Sequence, residues 1–452
     1  MKKNDIVRLT ITGMTTEGNG VGKYNDFALF VPMTAIGDVV NAKITKLQKA
    51  YGFGIVDSFI SESDSRQDND CEVFQKCGGC AFRHISYESE LEIKSNFVKD
   101  SFTRIGKLDV HPEEILGCEN SDFYRNKAQY PVAEIDGKVV CGFYSRRSHR
   151  VVPFTSCKLQ PEIFDTIVSF IIDKVNEKKI KAYDEENRTG LLRHIYIRQA
   201  FNTKETMVCF IVTKWCNDFD EIAKELMSKF TDVKSVVLNK NSHNTNIIMG
   251  NECRTICGAD TIIDIMCNNK IELSPLSFYQ VNTHQAERLY NIAKEYAQLK
   301  GDEEIIDLYC GAGTIGLSFS DKVKKLIGVE IIPQAIENAK RNAKLNNISN
   351  AEFYCGDASE IATRLADNNE KPDIVIVDPP RKGCDNKTLD AIITMSPEKV
   401  VMISCNPATA ARDCAYLNEK GYSIKKLRAV DLFPRTTHVE TVVLMSRVEN
   451  QP

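Results

Sequence analysis

Two side chains near the carboxyl terminus have types and positions suited to covalent catalysis. Cys405 follows the apolar run of residues 399–404, and Glu440 precedes the closing apolar run of residues 441–445. Apolar runs of this length are typical of buried strands, so both side chains are expected at strand ends, where α/β sheets bind ligands. A thiolate is a strong nucleophile, and a carboxylate can remove a proton. The two residues are the candidate nucleophile and base.

A glycine-rich loop between a predicted strand and a predicted helix is a candidate cofactor site. The segment Asp307-Leu-Tyr-Cys-Gly-Ala-Gly-Thr-Ile-Gly316 satisfies the G-x-G-x-x-G pattern, and Glu330 ends the next strand. Glycine lets the backbone approach a ligand closely. A carboxylate at the end of the next strand, such as that of Glu330, can accept from ribose hydroxyls. A nicotinamide dinucleotide and S-adenosylmethionine fit these features equally. Asp307 favours the second, because a carboxylate repels a pyrophosphate and attracts a sulfonium.

A third loop completes the set of candidate catalytic groups. Asp378-Pro-Pro-Arg381 follows the apolar residues 374–377, and its prolines fix the backbone. Methylation of a pyrimidine at C5 is the chemistry that uses all of these groups. C5 is a poor nucleophile until a thiolate adds to C6, and a base must then remove the C5 proton before the thiolate leaves. A nicotinamide-dependent oxidoreductase, the alternative, leaves Asp378-Pro-Pro and Cys405-Asn-Pro unexplained.

At these residues the sequence resembles the RNA uracil-5-methyltransferase family, in particular its bacterial 23S ribosomal RNA branch. The resemblance covers essentially the whole chain and rests on Ser277-Phe-Tyr-Gln-Val-Asn282, Asp307-Leu-Tyr-Cys-Gly-Ala-Gly313, Asp378-Pro-Pro-Arg-Lys-Gly383, Ser404-Cys-Asn-Pro407, Phe433-Pro434 and His438-Val439-Glu440. It implies S-adenosylmethionine-dependent formation of 5-methyluridine through a covalent adduct between Cys405 and C6, with Glu440 as the base.

The same resemblance implies which residues bind the cofactor and the target base. The expected cofactor contacts are Gln280, Tyr309, Gly311, Gly313, Glu330 and Asp378. Thr314 and Asp357 join them with two qualifications, since Thr314 stands where relatives often have Asn and Asp357 lies at a variable position. Phe278 is expected to stack on the target base or a neighbouring base; the alternative is a core aromatic.

Four cysteines form a second candidate site. Cys71, Cys77 and Cys80 lie close in sequence, and Cys157 follows much later. This spacing differs from the paired C-x2-C of a zinc ribbon, and the C-x3-C-x2-C of radical enzymes is absent from the sequence. The spacing alone predicts a metal without naming it. The family resemblance implies a [4Fe-4S] cluster, a group that four thiolates can hold, with a structural or RNA-holding role.

The chain divides by pattern into three predicted units. Residues 1–60 contain short alternating strands with glycine turns, which indicate a small β-barrel; it resembles the OB-like, RNA-binding TRAM domain, although a purely structural barrel fits as well. Residues 61–275 read as an α+β domain that carries the cysteines, with a polar linker at residues 61–70. Residues 276–452 alternate helices with apolar strands, which predicts a parallel α/β sheet of the class I (Rossmann-like) methyltransferase type.

Composition constrains the partners less than the motifs do. The formal net charge of -4 neither announces nor excludes a nucleic-acid partner, because a local basic face matters more. Lys43 and Lys46 in the barrel, and Arg146 and Arg147 in the middle unit, are the candidate RNA contacts; scattered solvated charge is the alternative. The resemblance implies 23S ribosomal RNA as the partner, with transfer RNA as the alternative substrate.

Sixteen cysteines without a secretory signal predict a cytoplasmic protein with mostly reduced thiols. No apolar run approaches the roughly 20 residues that span a membrane. A monomer without an obligate protein partner is the expectation. A non-catalytic iron-sulfur RNA-binding protein is a further alternative, against which Cys405 and Glu440 argue.

Overall fold

The computed structural model describes residues 1–448, and its first part is a closed five-stranded barrel. The strands pair in the order β1-β2-β3-β5-β4. Val7, Leu9 and Ile11 of the first strand alternate with exposed residues and point into the barrel core, as the sequence pattern predicts. The bounds are β1 (Ile6–Met14), β2 (Asn19–Tyr24), β3 (Phe27–Pro32), β4 (Val39–Leu47) and β5 (Tyr51–Ser61).

The polar run of residues 61–70, predicted as a linker, is anchored to the barrel. Arg66 donates to both carboxylate oxygens of Asp38, at 2.9 and 2.7 Å, and to the Met33 carbonyl at 3.0 Å. Asp38 is fully buried and also accepts from the backbone N–H of Ala35 and Ser63. The run is therefore held against the barrel by these contacts.

The segment after this run contains α1 (Tyr87–Asp100), a π-helical turn (Ser101–Ile105) and β6 (Glu113–Leu116). A seven-stranded sheet follows, in the order β13-β12-β11-β10-β7-β8-β9. Two helices cover one face, and a hairpin of β14 and β15 contributes apolar side chains to the core on the other. The bounds are β7 (Lys127–Ile135), β8 (Lys138–Tyr144), β9 (Val151–Pro153), α2 (Glu162–Glu177), β10 (Leu192–Gln199), β11 (Thr206–Val212), α3 (Asp220–Lys229), β12 (Val233–Lys240), β13 (Glu252–Gly258), β14 (Ile262–Met266) and β15 (Asn269–Leu273).

The carboxyl-terminal part is an eight-stranded sheet in the order β18-β17-β16-β19-β20-β22-β21-β6, with apolar cores on both faces. The strands from β18 to β20 are parallel, as predicted. The bounds are α4 (Thr283–Ala297), β16 (Glu304–Leu308), α5 (Thr314–Phe319), a 3-10 turn (Ser320–Lys322), β17 (Lys325–Glu330), α6 (Pro333–Leu345), β18 (Ala351–Cys355), α7 (Ala358–Asp367), β19 (Ile374–Val377), α8 (Asn386–Met395), β20 (Lys399–Ser404), α9 (Pro407–Glu419), β21 (Tyr422–Val430) and β22 (Glu440–Arg447).

One edge of this sheet comes from far earlier in the chain. β6 pairs in parallel with β21, with Glu113 beside Arg428 and Leu116 beside Val430. Helix α1 and the π-helical turn pack against α9. Residues that the sequence pattern groups with the middle unit therefore lie on the carboxyl-terminal sheet. Within residues 1–448 no helix has both the length and the apolar character needed to cross a bilayer.

Candidate active site

The fold brings Cys405 and Glu440 to one edge of the sheet. β20 and β22 are antiparallel neighbours, and Ser404 lies opposite Thr441; the next positions along the two strands are Cys405 and Glu440. Asn406 caps α9 by accepting from the backbone N–H of Ala408 at 3.1 Å. The strand end and the capped helix fix the backbone on both sides of the thiol.

Burial sets the protonation of this pair. Glu440 is 4% exposed, and burial, reinforced by the neighbouring carboxyl of Asp378, raises its pKa to about 8, while Arg381 acts in the opposite direction. Burial, with Glu440 and Asp378 adding to it, likewise raises the pKa of the Cys405 thiol to about 11. Burial raises the pKa of Asp378 to about 7. A cationic ligand at this edge would favour the ionised forms of all three acids.

The loop that precedes Glu440, residues 431–439, is held by a buried ionic cluster. The Lys94 ammonium donates to Glu90 and Asp431, both at 2.7 Å, and all three side chains are fully buried. The backbone N–H of Arg435 donates to Glu90 at 2.7 Å. On the opposite side, the Arg435 carbonyl accepts from the N–H groups of Ala81 and Phe82. The 431–439 loop therefore links α1 to the cysteine-bearing segment.

The glycine loop contains three residues in the left-handed region, which glycine adopts without strain. Tyr309, Gly311 and Gly313 have φ values of 67°, 56° and 83°. A Cβ on Gly313 would lie 3.2 Å from Leu317, so a larger residue there would be both strained and crowded. Asp307 is fully buried beneath the loop and accepts from Gly316 N–H at 2.9 Å. Asp307 thus braces the loop through its backbone.

The predicted cofactor residues follow the carboxyl ends of consecutive parallel strands. Glu330, the last residue of β17, accepts from Gly311 N–H at 3.1 Å and Ile332 N–H at 2.9 Å. Asp357, after β18, caps α7 by accepting from Ser359 N–H at 2.9 Å. Asp378 follows β19, so these carboxylates and the glycine loop share one sheet edge.

Two further predicted cofactor residues lie close to this edge. Thr314 opens α5, and its hydroxyl lies 3.4 Å from that of Tyr290. Gln280 precedes α4, and its carbonyl accepts from Asn126 at 2.8 Å. The segment before α4 is therefore tied to the middle sheet through Asn126.

A groove with a volume of about 1360 Å³ lies beside the pocket that contains Cys405. The barrel, the cysteine loop (residues 77–82) and the 431–439 loop form its walls, and Lys46, Arg146 and Arg147 line it. Thr437 and His438 line both this groove and a smaller pocket of about 230 Å³ that contains Cys405. The two spaces are therefore neighbours on either side of these residues.

The structure also places the other residues that the sequence predicts as RNA contacts. Lys43 is exposed on β4 but is not among the groove-lining residues. Phe278 is 68% exposed, so the alternative of a core aromatic is wrong. Arg125, which lines the groove as well, was not selected from the sequence, because a single arginine in a strand-like stretch carries no distinctive pattern.

The four cysteines line one cavity of about 60 Å³, together with Arg83 and Arg125. Within residues 1–448 no three His, Cys, Asp or Glu side chains lie close enough to hold one metal ion. A single water needs about 10–15 Å³, so the thiols surround space for a group of several atoms. Four thiols around such a space fit a cubane cluster better than one ion.

Comparison with known proteins shows the family. Residues 86–448 match the family model described as tRNA (Uracil-5-)-methyltransferase, and residues 2–56 match the TRAM domain. A protein of Clostridium tetani described as an uncharacterized RNA methyltransferase is 44% identical over 447 residues, covering 99% of this chain and 97% of that protein. A Bacillus cereus protein with the same description is 43% identical over 451 residues, covering 99% and 98%.

A solved structure supports the same assignment. Pyrococcus abyssi tRNA (uracil-54, C5)-methyltransferase in complex with S-adenosyl-L-homocysteine matches with a TM-score of 0.79 and 25% identity. The match covers 97% of this chain and 99% of that one. The chain therefore belongs to the tRNA (uracil-5-)-methyltransferase family: it is an RNA (uracil-5-)-methyltransferase with S-adenosylmethionine as methyl donor and an amino-terminal TRAM domain.

Proposed function

We propose that this enzyme methylates C5 of one or more uridines in 23S ribosomal RNA, with Cys405 as the nucleophile and Glu440 as the base. The observation that carries the proposal is the placement of Cys405 beside Glu440, in a pocket next to a groove lined by cations. Family membership removes the nicotinamide oxidoreductase from the alternatives.

The proposed reaction uses the chain's own groups in sequence. The Cys405 thiolate forms a bond to uracil C6, and the electron pair displaced makes C5 nucleophilic. S-adenosylmethionine, when bound, would supply an electrophilic methyl group to C5, and the electron pair of the broken sulfur–methyl bond would leave with S-adenosylhomocysteine. Glu440 then removes the C5 proton, and the resulting electron pair expels the Cys405 thiolate. Because burial raises the pKa of Glu440 to about 8, its carboxylate is a stronger base than an ordinary one.

The groove supplies the means to bring a uridine to this site. Lys46, Arg146 and Arg147 are exposed cations along it and suit RNA phosphates. A base inside an RNA stack cannot reach Cys405, so the target must be extruded. The exposed ring of Phe278 provides a surface on which a displaced base can stack.

The cysteine cavity fits a [4Fe-4S] cluster in this proposal, with Cys71, Cys77, Cys80 and Cys157 as ligands. The cysteine loop also orients a groove cation, since Arg146 donates to the Cys80 carbonyl at 2.7 Å and to the Cys77 carbonyl at 3.3 Å. We therefore assign the cluster a structural role at the RNA groove. Purified protein should show broad visible absorbance that Cys80→Ser removes; bound zinc without that absorbance would overturn the assignment.

RNA containing 5-fluorouridine tests the chemistry. Fluorine replaces the C5 proton, so elimination stalls and a covalent adduct with Cys405 should survive denaturation. Cys405→Ala should form none, while Cys253→Ala, at an exposed cysteine on β13, should form it normally. Absence of the adduct in the unaltered protein, or its persistence in Cys405→Ala, would remove the proposed mechanism.

Transfer RNA is the second candidate substrate, because the Pyrococcus abyssi enzyme that matches 97% of this chain is named for uridine 54 of tRNA. That match extends over the barrel, so the barrel does not separate the two substrates. Mapping 5-methyluridine in ribosomal and transfer RNA from a deletion strain decides between them. Loss confined to transfer RNA would overturn the ribosomal assignment.

A further inference from the structure

Three cations meet beneath the groove without a carboxylate partner. Arg198 of β10 lies directly opposite Lys127 of β7, and Arg125 precedes Lys127 by two residues. Within residues 1–448 none of the three takes part in an ion pair, and the neighbours that shift the pKa of Arg125 and Lys127 include no carboxylate. Arg125 also borders the cysteine cavity, where thiolates would face it. Lys127 lies instead against the positive charges of Arg198 and Arg125, and clustered positive charge of this kind is unfavourable.

Burial makes this unpaired positive charge more costly. Arg198 is 1% exposed; it donates to the carbonyls of Ser274 at 3.0 Å and Ser277 at 2.8 Å, while its Nε has no partner in the described chain. Arg125 donates from Nε to the hydroxyl of Tyr124 at 3.4 Å. Burial, and then the charges of Arg198 and Arg125, lower the pKa of Lys127 to about 8. An arriving anion would relieve these costs.

The location of the cations identifies the anion. Asn126, between Arg125 and Lys127, bonds to the Gln280 carbonyl and to Thr283, and Arg198 holds the carbonyl just before the exposed Phe278. On the other side, the Tyr124 hydroxyl donates to the Pro434 carbonyl in the 431–439 loop at 2.9 Å. The cations thus lie between the stacking surface and the loop that precedes Glu440, and Arg125 itself lines the groove.

We propose that Arg125, Lys127 and Arg198 form a binding site for the RNA phosphate that flanks the target uridine, with Lys127 and Arg125 contacting it and Arg198 adding charge behind them. The site rests on the proposed function, since it takes the backbone of the uridine whose base reaches Cys405. A phosphodiester carries one negative charge and accepts charge-assisted hydrogen bonds from both donors. Because extrusion rotates a nucleotide about its backbone into the active site, we expect its flanking phosphates to pass beside this cluster.

The test measures RNA binding with a protein variant and with RNA in which one phosphate is replaced by a neutral methylphosphonate. The probe is an RNA oligonucleotide containing the methylated uridine, made with a methylphosphonate at the phosphate 5′ or 3′ to that uridine, or at a distant one. Lys127→Gln should weaken binding of the unmodified oligonucleotide about tenfold and lower the salt-dependence slope by about one. One flanking methylphosphonate should weaken the unaltered protein similarly, and Lys127→Gln should then add nothing.

Controls separate the site from other roles of the cations. Lys138→Gln, at an exposed lysine at the start of β8, should leave RNA binding unchanged, and Lys127→Arg should restore the salt slope. If Lys127→Gln and each flanking methylphosphonate weaken RNA binding independently, so that their fold-losses in affinity multiply, the phosphate site is wrong. So would a Lys127→Gln effect on S-adenosylmethionine affinity or cluster absorbance with RNA binding intact. If the unaltered protein methylates no oligonucleotide or RNA, the proposed function fails instead.

Discussion

Replacing Glu440 by glutamine should abolish turnover and also make the protein more stable at alkaline pH. Glutamine keeps the shape of the side chain and removes the acid. In the folded protein, burial and the neighbouring Asp378 raise the pKa of Glu440 from 4.5 to about 8. The unfolded chain releases this proton near pH 4.5, while the folded chain retains it. The free energy of unfolding therefore falls as the pH rises between these two values.

The size of the effect follows from the two pKa values. At 1.36 kcal/mol per pKa unit, a rise from 4.5 to about 8 corresponds to a loss of about 5 kcal/mol. The loss begins above pH 4.5, is complete near pH 8 and stays constant above it. Asp307 and Asp378, whose pKa values burial also raises, remain in both proteins, so the comparison between them isolates Glu440.

Urea unfolding at pH 5 and pH 9 measures this difference. Glu440→Gln should match the unaltered protein within about 1 kcal/mol at pH 5 and exceed its stability by up to about 5 kcal/mol at pH 9. Glu419→Gln, at an exposed position at the end of α9, should show no such divergence. With substrate RNA, Glu440→Gln should accumulate the Cys405 adduct. Equal pH dependence in both proteins would refute the view of Glu440 as a buried acid.

Three more substitutions probe other parts of the structure. Lys94→Met should lower the free energy of unfolding by about 3–5 kcal/mol, because it leaves Glu90 and Asp431 buried without their cation; urea unfolding checks this. Phe278→Ala should reduce RNA methylation while changing stability by less than about 0.5 kcal/mol, because the ring is 68% exposed. Gly313→Ala should weaken S-adenosylmethionine binding in calorimetry, because φ is 83° and a Cβ would crowd its neighbours.

The meeting of the main site residues could be predicted from the sequence because one geometric rule governs it. Asp378 and Cys405 each follow an apolar strand, and parallel strands bring their carboxyl ends to one edge. The closing strand adds Glu440 beside them through antiparallel register. The catalytic roles of these residues remain predictions, but their proximity is confirmed.

Features that depend on distant pairing gave no local signal. β6 has four residues, too few for a periodicity that distinguishes a strand from a loop. The bond from Arg66 to Asp38 joins residues 28 positions apart, and neither residue is unusual in its own segment. Likewise, Lys127 and Arg198 meet only because their strands pair. The sequence alone therefore does not predict the cation cluster.

The pairing of β6 with β21 has a consequence for synthesis. Glu114 and Arg428, which bond across this edge, lie 314 residues apart. At ribosomal rates of about 5–20 residues per second, the first strand waits roughly 15–60 s for its partner. During that interval a short strand with unpaired backbone groups is exposed. A chain that stops before Tyr422 lacks β21 and leaves β6 without its partner strand, so a truncated chain keeps unpaired backbone groups that the full-length protein covers.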